Sequence, residues 1–306
     1  MNSSVRLKIA QVVIEMRSRF AVEQLSKREK RRQYIRRFSN FIYKGEKAPD
    51  ITIEVDVVKK LPRIAGARQL FTTYHFADGS ENWRLLKKAD TYVYKCPLWN
   101  KKQLMLVNNS FDKVHAYLLA KKNNGRSWNI GDIIYDFLQL HLINYFAQRK
   151  SGIFTHSIGV RDIDGQGFIF AGKSGCGKTT IARIWHAHSR ASVLNDDRMI
   201  IRRKNGKFMI YASPWHGDFG DYLESRIEPA ILEKMFFIYH APSHRAKEVL
   251  AQERFIRLYP AVFPTFWDSK LLINIVSFCQ DLLKKTPCYR LGFAKEKSVI
   301  DFIRKI

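Results

Sequence analysis

Residues 167–179 read Gly-Phe-Ile-Phe-Ala-Gly-Lys-Ser-Gly-Cys-Gly-Lys-Thr, and this stretch decides the fold of the region around it. The segment from Gly172 to Thr179 follows the pattern G-x-x-x-x-G-K-[ST] of a phosphate-binding loop. A β-forming run precedes it and a helix-forming run, Lys178 to His188, follows at once, which is the context that this pattern requires. The sequence therefore predicts a strand, a phosphate-binding loop and a helix in this order.

The residue types in the loop suit a nucleotide and a divalent metal. Glycines let the backbone turn tightly and direct its N–H groups inward, and the start of the helix adds a positive dipole end. Lys178 is expected to reach the β- and γ-phosphates, and the Thr179 hydroxyl is the expected Mg²⁺ ligand. The predicted nucleotide-binding residues are Gly172, Ser174, Gly175, Cys176, Gly177, Lys178, Thr179 and Thr180.

Two adjacent carboxylates, Asp196 and Asp197, end the short apolar run that follows the predicted helix. Such a pair can divide two tasks, since one carboxylate can hold a metal through water while the other accepts the proton of an attacking hydroxyl. The alternative is a surface turn with aspartate at both positions. Together with the loop, the pair favours phosphoryl transfer.

Two further segments carry polar groups near these motifs. His156 lies in the predicted strand before that of the loop, where it either contacts phosphate and orients an aspartate, or is an ordinary core or edge histidine. Residues 213–218 read Ser-Pro-Trp-His-Gly-Asp and form either a functional loop or a packed loop anchored by Trp215.

Composition excludes several classes of protein. The chain has 306 residues, 46% of them hydrophobic and 13% aromatic, so we expect a packed core. No apolar run approaches the roughly 20 residues of a membrane helix, no secretory signal is evident, and the cysteines are scattered, which favours a cytoplasmic location. The net charge of +25, with a basic cluster from Lys27 to Arg37, indicates an acidic protein or peptide partner or, as the alternative, nucleic acid.

The pattern changes along the chain. Apolar spacing predicts a helix over residues 5–26, before a small antiparallel sheet that starts near residue 51. We place a boundary at Asn124-Gly125, so that residues 1–125 form an N-terminal α+β region with a basic helical start and residues 126–306 form an α/β domain. A helix over 132–147 opens this domain, and another is expected around Ser243 to Arg254.

The order and spacing of these motifs resemble the HPr kinase/phosphorylase family, and still more the HPr-kinase-like proteins found outside sugar regulation. The residues that carry the resemblance are His156-Ser157, the loop Gly172 to Thr179, Leu194-Asn-Asp-Asp197 and Pro214-Trp-His-Gly217. The match is good over about residues 150–220. It implies a P-loop kinase domain with a fold related to phosphoenolpyruvate carboxykinase.

The resemblance also implies ATP-dependent phosphorylation of a serine hydroxyl, with ATP and Mg²⁺ at the loop. It makes Asp196, Asp197, Lys178 and His156 the catalytic residues, and Thr179 and Asp197 the metal ligands, in a protein that can assemble as a homo-oligomer. Two later signatures of true HPr kinases are missing, with Asp218 or Glu224 as the substitute acid, so HPr itself does not follow as the substrate. A nucleotide-binding regulatory protein that contacts nucleic acid, and a small-molecule kinase, are the alternatives.

Overall fold

Two large mixed sheets form the framework of this α/β protein. The computed structural model describes residues 3–20, 38–74, 79, 81–96, 103–120, 128, 130–217 and 228–306. The chain divides into a first unit of residues 1–148 with 265–271, and a second unit of residues 149–264 with 272–306. Two predicted features lie outside the described residues, namely the boundary at Asn124-Gly125 and the basic cluster from Lys27 to Arg37. Of the helices described, none has both the length and the apolar character needed to cross a bilayer.

The first unit contains an eight-stranded sheet in the order β1-β2-β3-β8-β7-β6-β5-β4. The strands are β1 (Ser3–Ile9), β2 (Val12–Ser18), β3 (Ile51–Val58), β4 (Arg68–Tyr74), β5 (Glu81–Lys88), β6 (Thr91–Cys96), β7 (Gln103–Asn108) and β8 (Lys113–Leu119). β3 runs parallel to both of its neighbours, so the small antiparallel sheet predicted here is larger and mixed. The helical stretch α1 (130–148) follows and confirms the helix predicted over 132–147.

The helix predicted over residues 5–26 is wrong where the structure describes it. β1 and β2 form an antiparallel hairpin closed by Ala10 and Gln11, whose φ angles of 46° and 68° are those of a tight two-residue turn. The apolar residues that fit a helical stripe also alternate with period two, and Leu7, Ile9 and Ile14 are fully buried in that alternation. β2 pairs in parallel with β3, and the β-branched side chains of β2 pack well on a sheet. This pairing favours a strand over a helix for these residues.

The second unit alternates strands and helices. Its strands are β9 (Gly152–Arg161), β10 (Gln166–Ala171), β11 (Ser192–Asn195), β12 (Arg198–Lys204), β13 (Lys207–Tyr211), β14 (Ala230–His240), β15 (Arg245–Glu248) and β16 (Cys288–Phe293). Its helices are α2 (Lys178–His188), α3 (Ala251–Leu258), α4 (Ser269–Lys285, which begins in the 265–271 segment) and α5 (Ser298–Lys305). The predicted helix 178–188 is confirmed. The helix predicted around Ser243 to Arg254 is wrong over its first half, since β15 pairs there with β16 before α3 begins.

Strand pairing brings several strand ends to one edge of this second sheet. β9 runs antiparallel to β10 on one side and to β11 on the other, so β10 and β11 are parallel to each other. β10 also pairs parallel with β14, which pairs parallel with β16. The carboxyl ends of β10, β11, β14 and β16 therefore meet at the same edge, where ligands of α/β proteins commonly bind.

An aromatic core fixes α2 against this sheet. Phe170 stacks on Phe236 of β14 at a centroid distance of 5.3 Å, and Phe168 packs on Trp185 of α2 at 5.9 Å. All four side chains are buried, and burial of each contributes about 2–3 kcal/mol relative to exposure. This packing sets the direction in which α2 leaves the phosphate loop.

A buried ion pair connects the β9–β10 turn to α5. The carboxylate of Asp162, 3% exposed, accepts hydrogen bonds of 2.8 Å from both Nε and Nη2 of Arg304. Burial by itself raises the pKa of Asp162, but the hydrogen bonds from Arg304 outweigh it, so that the pKa lies below its ordinary value. The pair thus helps to hold the last helix against the turn that leads into β10.

We predict that Gln11→Gly stabilises the protein by about 0.5–1 kcal/mol, because glycine adopts the positive φ of this turn without strain. In a helix the same change would destabilise the protein by about 1 kcal/mol. The sign of the change in unfolding free energy therefore distinguishes the hairpin from the helix. The free energy of unfolding is measured in urea by circular dichroism. Ser4→Gly, at an exposed position in β1, is the matched control and should destabilise.

We predict that Arg304→Met costs about 2 kcal/mol at pH 7, less than a fully buried pair because Arg304 is one third exposed. The lowered pKa of Asp162 means that the pair stabilises above the ordinary carboxyl pKa of about 3.9 and that this contribution disappears as the pH falls through the folded-state value. The difference in unfolding free energy between wild type and variant should therefore narrow on acidification. A difference that stays constant as the pH falls well below the ordinary carboxyl pKa, or an equal loss in the neighbouring control Lys305→Met, would contradict this role.

Candidate functional site

The phosphate loop joins the carboxyl end of β10 to the first residue of α2. Gly175 and Gly177 have φ angles of 78° and 102°, which residues with side chains rarely adopt, and Gly177 caps the helix. Residues 173–175 are exposed, so the loop is open to solvent. The predicted strand, loop and helix are thus present in the predicted order.

Two glycines in the loop are required by close approach of other groups. A Cβ atom on Gly172 would lie 2.5 Å from Sγ of Cys176, and one on Gly177 would lie 2.7 Å from the ring of His240 and 2.8 Å from that of Phe293. Neither position has room for a methyl group. The ends of β14 and β16 therefore press directly on the loop.

Lys178 lies over the loop that precedes it. Its ammonium group donates to the carbonyl oxygens of Gly172 at 2.9 Å and Lys173 at 3.1 Å. Thr179 and Thr180 lie in the first turn of α2 and are partly exposed. The loop therefore combines a cation, hydroxyl groups and a helix amino terminus, which together suit an anionic ligand.

Asn195 organises the turn that carries the two aspartates. Its buried side chain donates to the carbonyl oxygens of Ser213 at 2.9 Å and Trp215 at 2.8 Å, and accepts from the backbone N–H groups of Asp197 at 2.8 Å and Arg198 at 3.0 Å. One amide thus fastens the acidic turn to the 213–217 loop.

The 213–217 loop packs on Asp196. The N–H of Gly217 donates to Oδ1 of Asp196 at 2.9 Å, and a Cβ atom on Gly217 would lie 2.8 Å from Oδ2. Trp215 is buried against Phe154. The loop is therefore both anchored by its tryptophan and part of the site, while Asp218 and Glu224 lie outside the described residues.

His156 lies between the loop and the acidic turn. On one side of β9 it is opposite Arg198, and on the other side its neighbour Ser157 is opposite Ala171, the residue before the phosphate loop. Nε2 of His156 is 3.2 Å from Oδ1 of Asp197, which also pairs with Arg198. Only the width of one strand separates the loop from the two aspartates.

The charges of both segments act on His156. Partial burial lowers its pKa, Asp197 opposes this, and Lys178 and Arg198 lower it further, so the pKa lies below its ordinary value. The imidazole is therefore neutral near pH 7 and can donate from Nε2 to Asp197. His156 therefore lies within the electrostatic influence of Lys178, Asp196 and Asp197.

Arg198 is the cation nearest to the acidic pair along the chain. Its guanidinium group contacts Asp197 and lies 4.6 Å from the ring centre of Phe263. Burial lowers its pKa, and the neighbouring aspartates oppose this shift. The group remains charged, because an arginine pKa starts far above neutral pH.

The oxygen ligands at this site suit Mg²⁺. Within the described residues, no group of three or more His, Cys, Asp and Glu side chains is placed to hold a metal ion. Mg²⁺ typically takes one or two carboxylates and leaves its other positions to water and phosphate, so the Thr179 hydroxyl and one aspartate fit it.

Sequence reasoning missed three residues at this edge, Asn195, Arg198 and His240. Asn195 is part of the quoted motif Leu194 to Asp197 but was given no role, although an asparagine before a turn commonly bonds to nearby backbone groups that follow it. Arg198 adjoins the aspartates and was not considered. His240 gave no signal, since its position beside Gly177 depends on the pairing of β10 with β14.

Comparison with known proteins adds no relative. No protein-family model matches the chain, and a search of curated proteins gives no significant match. The family resemblance therefore depends on the quoted residues alone.

We predict that Asn195→Ala destabilises the protein by about 2–4 kcal/mol, because it leaves two backbone N–H groups and two carbonyl oxygens without their buried partner. Urea unfolding measures this loss. The exposed Arg190→Ala, on the connection between α2 and β11, is the control and should change stability by less than about 0.5 kcal/mol. A comparable small effect for Asn195→Ala would show that the acidic turn does not depend on this amide.

Proposed function

We propose that this chain is an ATP-dependent kinase of the HPr-kinase-like P-loop type, which transfers the γ-phosphoryl group to a hydroxyl, that of serine, in a protein or peptide. The observation that carries the proposal is the placement of His156 on β9, with the phosphate loop on one side and the Asp196-Asp197 turn on the other. Phosphoryl transfer needs a phosphate cradle and a base at this kind of separation, because the acceptor hydroxyl must lie beside the γ-phosphorus.

The loop would hold the triphosphate of ATP. Backbone N–H groups around Gly175 and Gly177, the amino terminus of α2 and the ammonium group of Lys178 supply fixed positive charge in one place. Such preorganised charge stabilises a transition state in which negative charge is spread over the transferred group.

The two aspartates would have different tasks. Asp197 is held by both Arg198 and His156 at the same oxygen, whereas Asp196 is fixed by the N–H of Gly217. We assign the general base to Asp196, which accepts the acceptor's proton. A Mg²⁺ ion would be held by the Thr179 hydroxyl and the Asp197 carboxylate, and when bound it supplies positive charge to the phosphate oxygens.

Arg198 is the best candidate for the additional cation. The later part of the chain carries four other cations that could take this role, Arg245, Lys247, Arg254 and Arg257. Arg254 bonds to the carbonyl oxygens of Val249 and Leu283, and Arg257 pairs with Glu253, so these two have structural partners. Arg245 and Lys247 lie on β15, three strands away from β10. Arg198 instead lies opposite His156, and its ion-pair partner Asp197 is itself a residue of the site.

We predict that Lys178→Ala weakens ATP binding about ten- to a hundredfold, since it removes charged hydrogen bonds to phosphate. Asp196→Asn should leave ATP binding within about threefold of wild type and slow transfer by about 10²–10⁴, the usual contribution of a general base. Calorimetry with ATP and Mg²⁺ measures binding, and single-turnover transfer of label from γ-labelled ATP to a degenerate serine-peptide library measures transfer.

Lys204→Ala, an exposed substitution in β12, is the control for loss of positive charge and should change neither quantity. Full transfer activity in Lys178→Ala or in Asp196→Asn would refute the kinase assignment. Thermal unfolding of each variant checks that the fold is intact.

A further inference from the structure

The phosphate loop has two sides that differ in chemistry. From β10 outward, one side leads through β9 to β11 and carries His156 and the acidic pair, and the other leads through β14 to β16. Because neighbouring strands are about 4.8 Å apart, the acidic turn of β11 lies about two strand spacings from the loop on the first side. The ends of β14 and β16 begin one spacing away on the second side.

This asymmetry sets the direction of a bound nucleotide. In the proposed reaction, on which the inference rests, the γ-phosphate must lie beside Asp196 so that the aspartate can accept the proton of the attacking hydroxyl. A triphosphate that crosses the loop with its γ end on the β9 side leaves its α end on the β14 side. The nucleoside must therefore lie near the ends of β14 and β16.

His240 is the described side chain best placed to meet it. It is the last residue of β14, is exposed, and lies against Gly177, with Nε2 3.2 Å from where a Cβ atom on that glycine would be. Its ring packs on Phe293 of β16 at a centroid distance of 5.5 Å. Phe293 is fully buried, so the histidine ring rests on a fixed base while part of it faces solvent.

The connections that follow these strands are tied together. The N–H of Ala241 donates to the carbonyl oxygen of Phe293 at 3.1 Å, and the N–H of Ala294 donates to Nδ1 of His244 at 3.3 Å. Nε2 of His244 in turn lies 2.8 Å from Oγ of Ser298, at the start of α5. The edge next to His240 is therefore held in place by hydrogen bonds.

We propose that the ends of β14 and β16 form the nucleoside subsite and that His240 contacts the base or ribose of ATP through its ring. Contact with an aromatic ring suits this ligand, because every nucleobase presents a π-face on which a ring can stack. His240 is a binding residue in this assignment and takes no part in the chemistry at Asp196.

Two probes separate the subsite from the phosphate site. ATP carries both phosphates and nucleoside, and inorganic tripolyphosphate carries phosphates alone. We expect His240→Ala to raise the Kd for ATP about tenfold, a typical loss for one stacking contact, and to leave the Kd for tripolyphosphate within twofold. His240→Phe keeps a ring on Phe293 and should bind ATP within threefold of wild type. His188→Ala, an exposed histidine in the last turn of α2, is the matched control and should change neither Kd.

Each outcome has a distinct meaning when Lys178→Ala is measured alongside. Weaker binding of both probes by Lys178→Ala, with loss of ATP binding alone in His240→Ala, supports the inference. If His240→Ala weakens both probes equally, the ring supports the loop only, and if it weakens neither, the ring takes no part in binding. Either result overturns the nucleoside subsite while the phosphate site stands. If Lys178→Ala leaves both probes bound as in wild type, the proposed function itself fails.

Discussion

β9 is the constraint on which the candidate site depends. A strand has two hydrogen-bonding edges, and β9 uses one for β10 and the other for β11 and β12. β10 delivers the phosphate loop and β11 delivers the acidic turn at the same end of the sheet, so the distance between them is set by strand spacing, about 10 Å over two strands. His156, on β9 itself, lies between them and contacts Asp197. No contact between long flexible segments is needed to bring these groups together.

Close packing of backbone then fixes each group. Gly172 and Gly177 let the ends of β14 and β16 touch the loop, and Gly217 lets the 213–217 loop touch Asp196. The buried side-chain amide of Asn195 makes two hydrogen bonds to that loop and two to the acidic turn, and so fastens them together. Polar groups held in this way need little reorganisation when a ligand binds, which is the property that a site for charged substrates requires.

The charges of the site are nearly balanced without a ligand. Lys178 and Arg198 offset Asp196 and Asp197, and the lowered pKa of His156 keeps its imidazole neutral near pH 7. Bound phosphates would bring excess negative charge, which accounts for the need for a divalent cation in the proposed reaction. The same excess would act on His156 and favour its protonated form, since a nearby negative charge raises a histidine pKa. In the proposed reaction, nucleotide binding would therefore change the protonation of the histidine next to the proposed base.

The amino-acid sequence alone was sufficient to predict those elements that depend on a short run of neighbouring residues. Glycine spacing before Lys178 specified the loop, the helix-forming run after it specified α2, and apolar periodicity specified α1, because backbone conformation and burial there follow from neighbouring residues. It did not determine the N-terminal hairpin, since the apolar residues of 5–18 fit both a helical and a β period, and pairing with β3 made the choice. It also did not reveal His240, which reaches Gly177 only because β14 pairs with β10 across a long separation in the chain. Tertiary structure decided those features because a strand's partners, unlike its propensity, come from distant parts of the sequence.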